Sequence, residues 1–324
     1  PVVERADQLQ RQILIGKQYF QQKFGVDVKI GWNPDSFGYN WQLPQIYKKS
    51  GIDYFVTQKL LWAHEFTTFP YKLFWWESPD GSRLLTYFPH DYGNPIDAVA
   101  MAKDLATYSV ATGYPQTLHL YGVGDHGGGP TRSMLDNALR WQQPDLVYPR
   151  LELGTAQAFF DRLAPKAQSM NIPVWRNELY LEYHRGTYTS QARTKRGNRR
   201  SEHLLREAEL WATTAHILRG AAYPYDLLER TWQRVLLAQF HDILPGSSIA
   251  WVHRDAEQAY AEVADVLNRV VATALTSLAG DGAERLAFNA APHARAGVPA
   301  LGAAAPEVAS GASAADTLVA GLPR

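Results

Sequence analysis

Cysteine is absent from this sequence. That excludes thiolate catalysis, a disulfide scaffold and cysteine-ligated zinc. A metal would have to be held by histidine and carboxylate, a donor set that suits a catalytic rather than a structural zinc site. Neither sign of charge is in excess: 32 Lys and Arg stand against 32 Asp and Glu. Nothing global therefore points to nucleic acid, an anionic membrane or a polyanionic substrate. No apolar run approaches the length of a membrane span, and no charged-then-apolar leader opens the chain. The first residue is Pro1 rather than Met, and residues 1–30 hold no histidine.

What is present suits a globular protein, with 46% hydrophobic and 20% charged residues. At 324 residues the chain exceeds the usual size of a single core, so two or more domains are expected. Ten Trp, 17 Tyr and 12 Phe could stack on sugar rings, but core packing accounts for most such residues.

Leu9, Ile13, Phe20 and Phe24 recur at helical spacing over residues 4–24, and Gly25 follows where a helix C′ glycine belongs. Val26, Val28 and Ile30 alternate as in a strand. The polar turn GWNPDSFGYN (31–40) precedes a short helix ending at Gly51, and Tyr54–Thr57 reads as another strand. Residues 74–88 read as a hairpin across Pro79-Asp80-Gly81. A helix near 95–111 leads to a strand TLHLYGV (117–123), which runs into the loop GDHGGGPT (124–131). Another helix, a strand near 147–153 and a helix near 155–164 follow. Alternating strands and helices predict a mostly parallel α/β domain with its site at the carboxyl ends of the strands. Both polar turns fall at that edge, which makes Asp35 and Asp125 candidates for one site.

Helical stripes then take over: Leu204, Ala208, Trp211, Ala215 and Leu218; Leu228, Trp232, Val235 and Phe240; and the stretch 252–278. Three helices with short connections predict a bundle. RLAFNAAPHARAGVP (285–299) reads as one strand and a turn, and the Ala/Gly/Ser-rich 302–316 reads as linker.

Taken singly, the chemical candidates have plain explanations. Asp35 could cap the next helix, and Asp125 could serve a glycine-rich turn. His241, in QFHDILPGSS (239–248), could be a core histidine. The loop at 124–131 lacks the Lys-Ser/Thr continuation of a phosphate-binding P-loop.

In combination, GWNPDSFGY, GDHGGGPT, ELYLEYHRGTYTSQARTKRGNRRSE (178–202) and QFHDILPGSS stand in an order that closely resembles glycoside hydrolase family 38, the α-mannosidases. The likeness is greatest to bacterial and cytosolic-type members and runs from about residue 8 to about residue 292. The resemblance implies a cytoplasmic enzyme that takes terminal α-linked mannose from oligosaccharides with retention. It implies an α/β fold: an incomplete seven-stranded β/α barrel over 1–177, a three-helix bundle over 178–279, and the start of a β-sandwich domain over 280–324. It also implies one Zn²⁺, with Asp35 as nucleophile and metal ligand, His241 as a second ligand, Asp242 contacting substrate, and Asp125 as general acid/base. Trp32, Lys59, Tyr92, Tyr183, His184 and Tyr188 are candidate substrate contacts, and Glu178 is a further pocket candidate. A homo-oligomer is left open.

Two departures from the family pattern stand out. The family's other two zinc ligands come from a His-x-Asp motif on the first barrel strand, and no such motif precedes Asp35. His126 stands where close relatives are expected to carry Gly. The implied chemistry is coherent: retaining hydrolysis needs two carboxyl groups about 5–5.5 Å apart, one ionised and attacking, one protonated and donating to the leaving oxygen. Two alternatives remain: a metal-dependent polysaccharide deacetylase, and a non-catalytic carbohydrate-binding fragment. The basic cluster Arg193, Lys195, Arg196, Arg199 and Arg200 reads as a solvated helix start or interdomain contact, since acidic neighbours and zero net charge argue against nucleic acid.

Overall fold

The computed structural model describes residues 6–62, 68–125, 127–143 and 149–305. The chain divides into two compact units, Pro1–Lys195 with Phe240–Ser248, and Arg196–Gln239 with Ile249–Arg324. The turn carrying His241 and Asp242 thus belongs with the strand-bearing part of the chain.

The first unit opens with helix α1 (Ala6–Phe24), ended by Gly25 in the left-handed region at φ 68°. Leu9 and Ile13 pack against the core, as their spacing predicts. Phe20 and Phe24 stay exposed and pack on one another, with ring centroids 5.6 Å apart. Strand β1 (Ile30–Trp32) is shorter than the alternation predicts, because Val26 is exposed and only the end of that run finds a pairing partner. After β2 (Gly38–Tyr39) come α2 (Leu43–Lys49), β3 (Tyr54–Val56), β4 (Leu73–Glu77) and β5 (Arg83–Tyr87). Then follow α3 (Ala98–Thr112), α4 (Arg132–Trp141), α5 (Ala156–Ala167), β6 (Val174–Trp175) and β7 (Leu179–Tyr180).

Five of these strands form one sheet in the order β1-β3-β5-β4-β6. β1, β3 and β5 run parallel, with Trp32 beside Val56 and Val56 beside Tyr87. β4 is antiparallel to β5 because the expected tight turn at 78–82 joins them, and β6 lies parallel to β4. Both faces of this sheet are covered, so neighbouring residues along a strand are buried in turn, as in covered parallel sheets. Phe55, Phe74, Trp76 and Leu84 fill one side with Tyr39, Tyr47 and Leu179. Val56, Leu73, Leu85 and Tyr87 fill the other with Tyr108, Phe159, Phe160 and Leu163. Each such side chain contributes about 1.5–3 kcal/mol relative to exposure.

Among the described residues the sheet is open, with β1 and β6 as its edges. The expected seven-stranded closure is not present among them. The expected strand at 117–123 is reduced to a single parallel bridge between Tyr121 and Asn94. Its neighbour is the loop Tyr92-Gly93-Asn94-Pro95, whose proline has no N–H to extend a ladder. The expected strand near 147–153 lies partly outside the described residues, and 149–153 form no strand.

In the second unit, α6 (Ala192–Arg219), α7 (Tyr225–Leu237) and α8 (Ala250–Ala279) pack pairwise. Trp211 and Ala215 of α6 meet Ala274 of α8. Trp232 Nε1 of α7 donates to Glu209 Oε1 of α6 at 2.8 Å, and Arg234 of α7 pairs with Glu262 of α8. Leu204, Ala208, Trp211 and Ala215 are buried as their stripe predicts, while Leu218 is exposed. The strand at 287–289 is not single. It is β8 (Ala287–Asn289), paired antiparallel with β9 (Gly302–Ala304), so the presumed linker supplies its partner. Residues 306–324 lie outside the described residues. No described helix is long and apolar enough to cross a membrane.

Candidate active site

The three parallel strands β1, β3 and β5 lie side by side and deliver their following residues to one sheet edge. Beyond Trp32 comes Asp35, beyond Val56 comes Lys59, and beyond Tyr87 comes Tyr92. Backbone pairing continues past the strand ends, where Asn33 N donates to Val56 O at 3.0 Å. The Tyr39 hydroxyl bonds Asn33 O at 2.6 Å and Thr57 Oγ1 at 2.7 Å, which fastens the Asp35 loop to the end of β3.

Lys59 Nζ donates to Asp35 Oδ1 at 2.7 Å. The same ammonium sits 3.7 Å from the centre of the Trp62 ring, a cation–π contact. Tyr92 responds to both candidate carboxylates. Its phenol is held well above its ordinary pKa, first by burial, then by a hydrogen bond to Asp35, by the charges of Asp35 and Asp125, and by a hydrogen bond to Asp125. The charges of both aspartates thus act on one phenol.

A second group of candidates joins from later in the chain. His184, in the short 3-10 segment Glu182–Tyr188, packs on Phe37 with ring centroids 4.3 Å apart and meets Trp62 edge-on at 6.3 Å. Burial, and secondly the Lys59 charge, hold its imidazole below the usual range, while the Asp242 charge pulls it upward. Its Nδ1 is buried without a hydrogen-bond partner. Asp242 Oδ1 accepts from Ser247 Oγ at 2.7 Å, and His241 Nε2 lies 3.4 Å from Asp242 Oδ2. Trp32 ends β1 with its indole exposed, and Tyr183 and Tyr188 are exposed. Tyr188 is raised by burial and by its neighbours Tyr180 and Glu178, so its recorded surroundings are not the carboxylate pair.

Several features escaped the sequence reading. Trp62 had no motif to flag it. Lys195, grouped above with solvated basic residues, donates instead to three backbone carbonyls, of Ser190 (2.5 Å), Leu244 (2.9 Å) and Pro245 (3.0 Å). It ties the His241–Asp242 turn to the segment before α6. His126 lies outside the described residues.

The fit to zinc is incomplete. Among the described residues no three His, Cys, Asp or Glu side chains gather in a way that could hold a metal ion. Asp35, the residue implied as a ligand, has its Oδ1 engaged by the Lys59 ammonium. Asp35 and His241 alone fall short of the three protein ligands of a catalytic zinc site.

Residues 2–178 match the family model described as glycosyl hydrolases family 38 N-terminal domain, and residues 182–278 match the alpha mannosidase middle domain. The chain belongs to glycosyl hydrolase family 38. It is 40% identical over 264 residues to an alpha-mannosidase of Saccharomyces cerevisiae, covering 78% of this chain and 24% of that protein. It is 39% identical over 298 residues to human alpha-mannosidase 2C1, covering 90% of this chain and 28% of that protein. The chain thus spans about a quarter of the length of these relatives. The crystal structure of an alpha-mannosidase from Enterococcus faecalis V583 superposes with a TM-score of 0.73 at 23% identity, over 86% of this chain and 32% of that one, which shows a shared fold.

Proposed function

We propose that this chain carries the carboxylate machinery of a retaining α-mannosidase acting on terminal α-linked mannose of oligosaccharides. The observation that carries the reading is the close approach of the loop bearing Asp125 to the loop bearing Tyr92, where a β-carbon on Gly124 would stand 2.8 Å from Gly93 Cα, with the charges of Asp35 and Asp125 both acting on the Tyr92 phenol. Family membership and the names of the relatives supply the substrate class. Asp35 attacks the anomeric carbon to form a glycosyl ester, and Asp125 protonates the departing oxygen, then takes a proton from the incoming water. Lys59 compensates the charge of Asp35 while that carboxylate waits for substrate, and the charges of both acids act on Tyr92. Trp62 offers exposed ring surface beside Lys59 for the sugar, and His184 is held behind it on the buried Phe37.

Zinc belongs to this reading with Asp35 and His241 as its ligands on this chain, and no step is assigned to it. The seven-stranded barrel and the helical bundle are likewise proposed for the whole protein, supported by the shared fold. The deacetylase alternative needs metal ligands clustered at the sheet edge, and the described residues hold no such cluster. The decisive test is hydrolysis of an aryl α-mannoside by the intact protein, with the anomer of the first-formed mannose read by NMR. α-Mannose supports the reading; β-mannose, or no turnover of any mannoside, overturns it.

A further inference from the structure

The segment that carries Tyr92 and the segment that carries Asp125 are clamped together just after Tyr92 and just before Asp125. Asn94 N donates to Leu120 O at 3.3 Å, Asn94 Nδ2 to the same oxygen at 3.1 Å, and Gly122 N to Asn94 O at 3.1 Å. Past this clamp the two backbones cross at Gly93 and Gly124. A β-carbon on Gly124 would stand 2.8 Å from Gly93 Cα, and one on Gly93 would stand 3.3 Å from Gly124 Cα and 3.4 Å from Val123 O. Gly124 also holds φ 70°, so turn geometry alone accounts for its being glycine. Gly93 is not among the glycines of positive φ. Its lack of a side chain is explained by the crossing, not by its own conformation. Beyond the crossing the loop closes on itself, with Val123 N bonded to Gly129 O at 3.1 Å and Gly124 N to Gly128 O at 3.0 Å. Asp125 is the next residue in that closed loop, so a displacement at Gly124 is passed directly to it.

We propose that Gly93 is a positioning residue: its bare backbone lets the acid/base loop approach, and so sets how closely Asp125 comes to Asp35. This rests on the reading of Asp125 as acid/base. A methyl at position 93 displaces Gly124 by a few tenths of an ångström or more, and the cost falls on protonation of the leaving group rather than on attack by Asp35. A misplacement of about 1 Å costs about 10²-fold, and this smaller shift should cost less.

The test compares kcat/KM of the intact protein on aryl α-mannosides with good and poor leaving groups. Gly93→Ala should lose about tenfold on poor leaving groups, below the cost of a 1 Å misplacement, and far less on good ones, with the thermal midpoint measured alongside. Asn94→Ala, which removes only the side-chain bond to Leu120 O, should show the same discrimination more weakly and serves if Gly93→Ala does not fold. Gly113→Ala is the control: it strains a φ of 68° with nothing within 4 Å of the new methyl, so any loss should be equal on both substrates. Asp125→Ala separates the two levels of inference. If it fails to discriminate between leaving groups, the acid/base reading falls and this proposal with it. If Asp125→Ala discriminates while the folded position-93 or position-94 variants lose equally on both substrates, or lose nothing, the positioning role is overturned.

Discussion

Lys59 Nζ donates a 2.7 Å hydrogen bond to Asp35 Oδ1, and the two side chains remain only 7% and 16% exposed. Removing one partner of so enclosed a pair leaves the other as an uncompensated charge, at a cost of about 3 kcal/mol. Lys59→Met should therefore lower the thermal midpoint as well as kcat. Lys59→Arg should keep most of the stability, because the charge is retained. Equal midpoints for wild type and Lys59→Met would show that the pair does not matter to folding.

The two aspartates should differ in what their loss does. Asp35→Ala should abolish turnover of every mannoside, since no glycosyl-enzyme can form. Asp125→Ala should lose about 10²–10⁴-fold on poor leaving groups, lose little in the first step on good ones, and accumulate a covalent intermediate. Azide needs no base to attack, so it should restore turnover to Asp125→Ala and give a mannosyl azide. Mass spectrometry of the stalled enzyme and of the azide product checks both outcomes.

His184 predicts a pH dependence. Burial and then Lys59 hold its folded pKa below the unfolded one. Its contribution to stability is therefore intact above about pH 6.5 and is lost as pH falls below that, because the unfolded chain takes up the proton more readily. His184→Phe, which keeps a ring against Phe37, should flatten the acid-side fall in thermal midpoint. Melting curves of both proteins across that range decide it.

Lys195 binds three carbonyls, two of them in the turn that carries His241 and Asp242. Lys195→Met should cost about 2–3 kcal/mol in urea unfolding and expose residues 240–248 to limited proteolysis. An unchanged cleavage pattern would show that the turn holds without the ammonium.

The hairpin across Pro79-Asp80-Gly81, the long helices and the polar turns are all written locally in the amino-acid order. These depend on local signals: turn residues, glycine caps and apolar spacing over a few turns. Asp35 and Asp125 stood out through the order of the motifs that carry them, because each alone reads equally well as a turn residue. Which neighbours those residues meet is settled by the folded chain. That Asp35 faces an ammonium and that Lys195 is a clamp rather than a solvated charge depend on contacts distant in sequence, which no local pattern encodes. The strand expected at 117–123 failed for the same reason. A strand exists only where a partner offers its N–H and C=O groups, and here the partner is a loop interrupted by Pro95. β9 shows the converse: a small-residue stretch with little strand preference becomes one because β8 lies alongside.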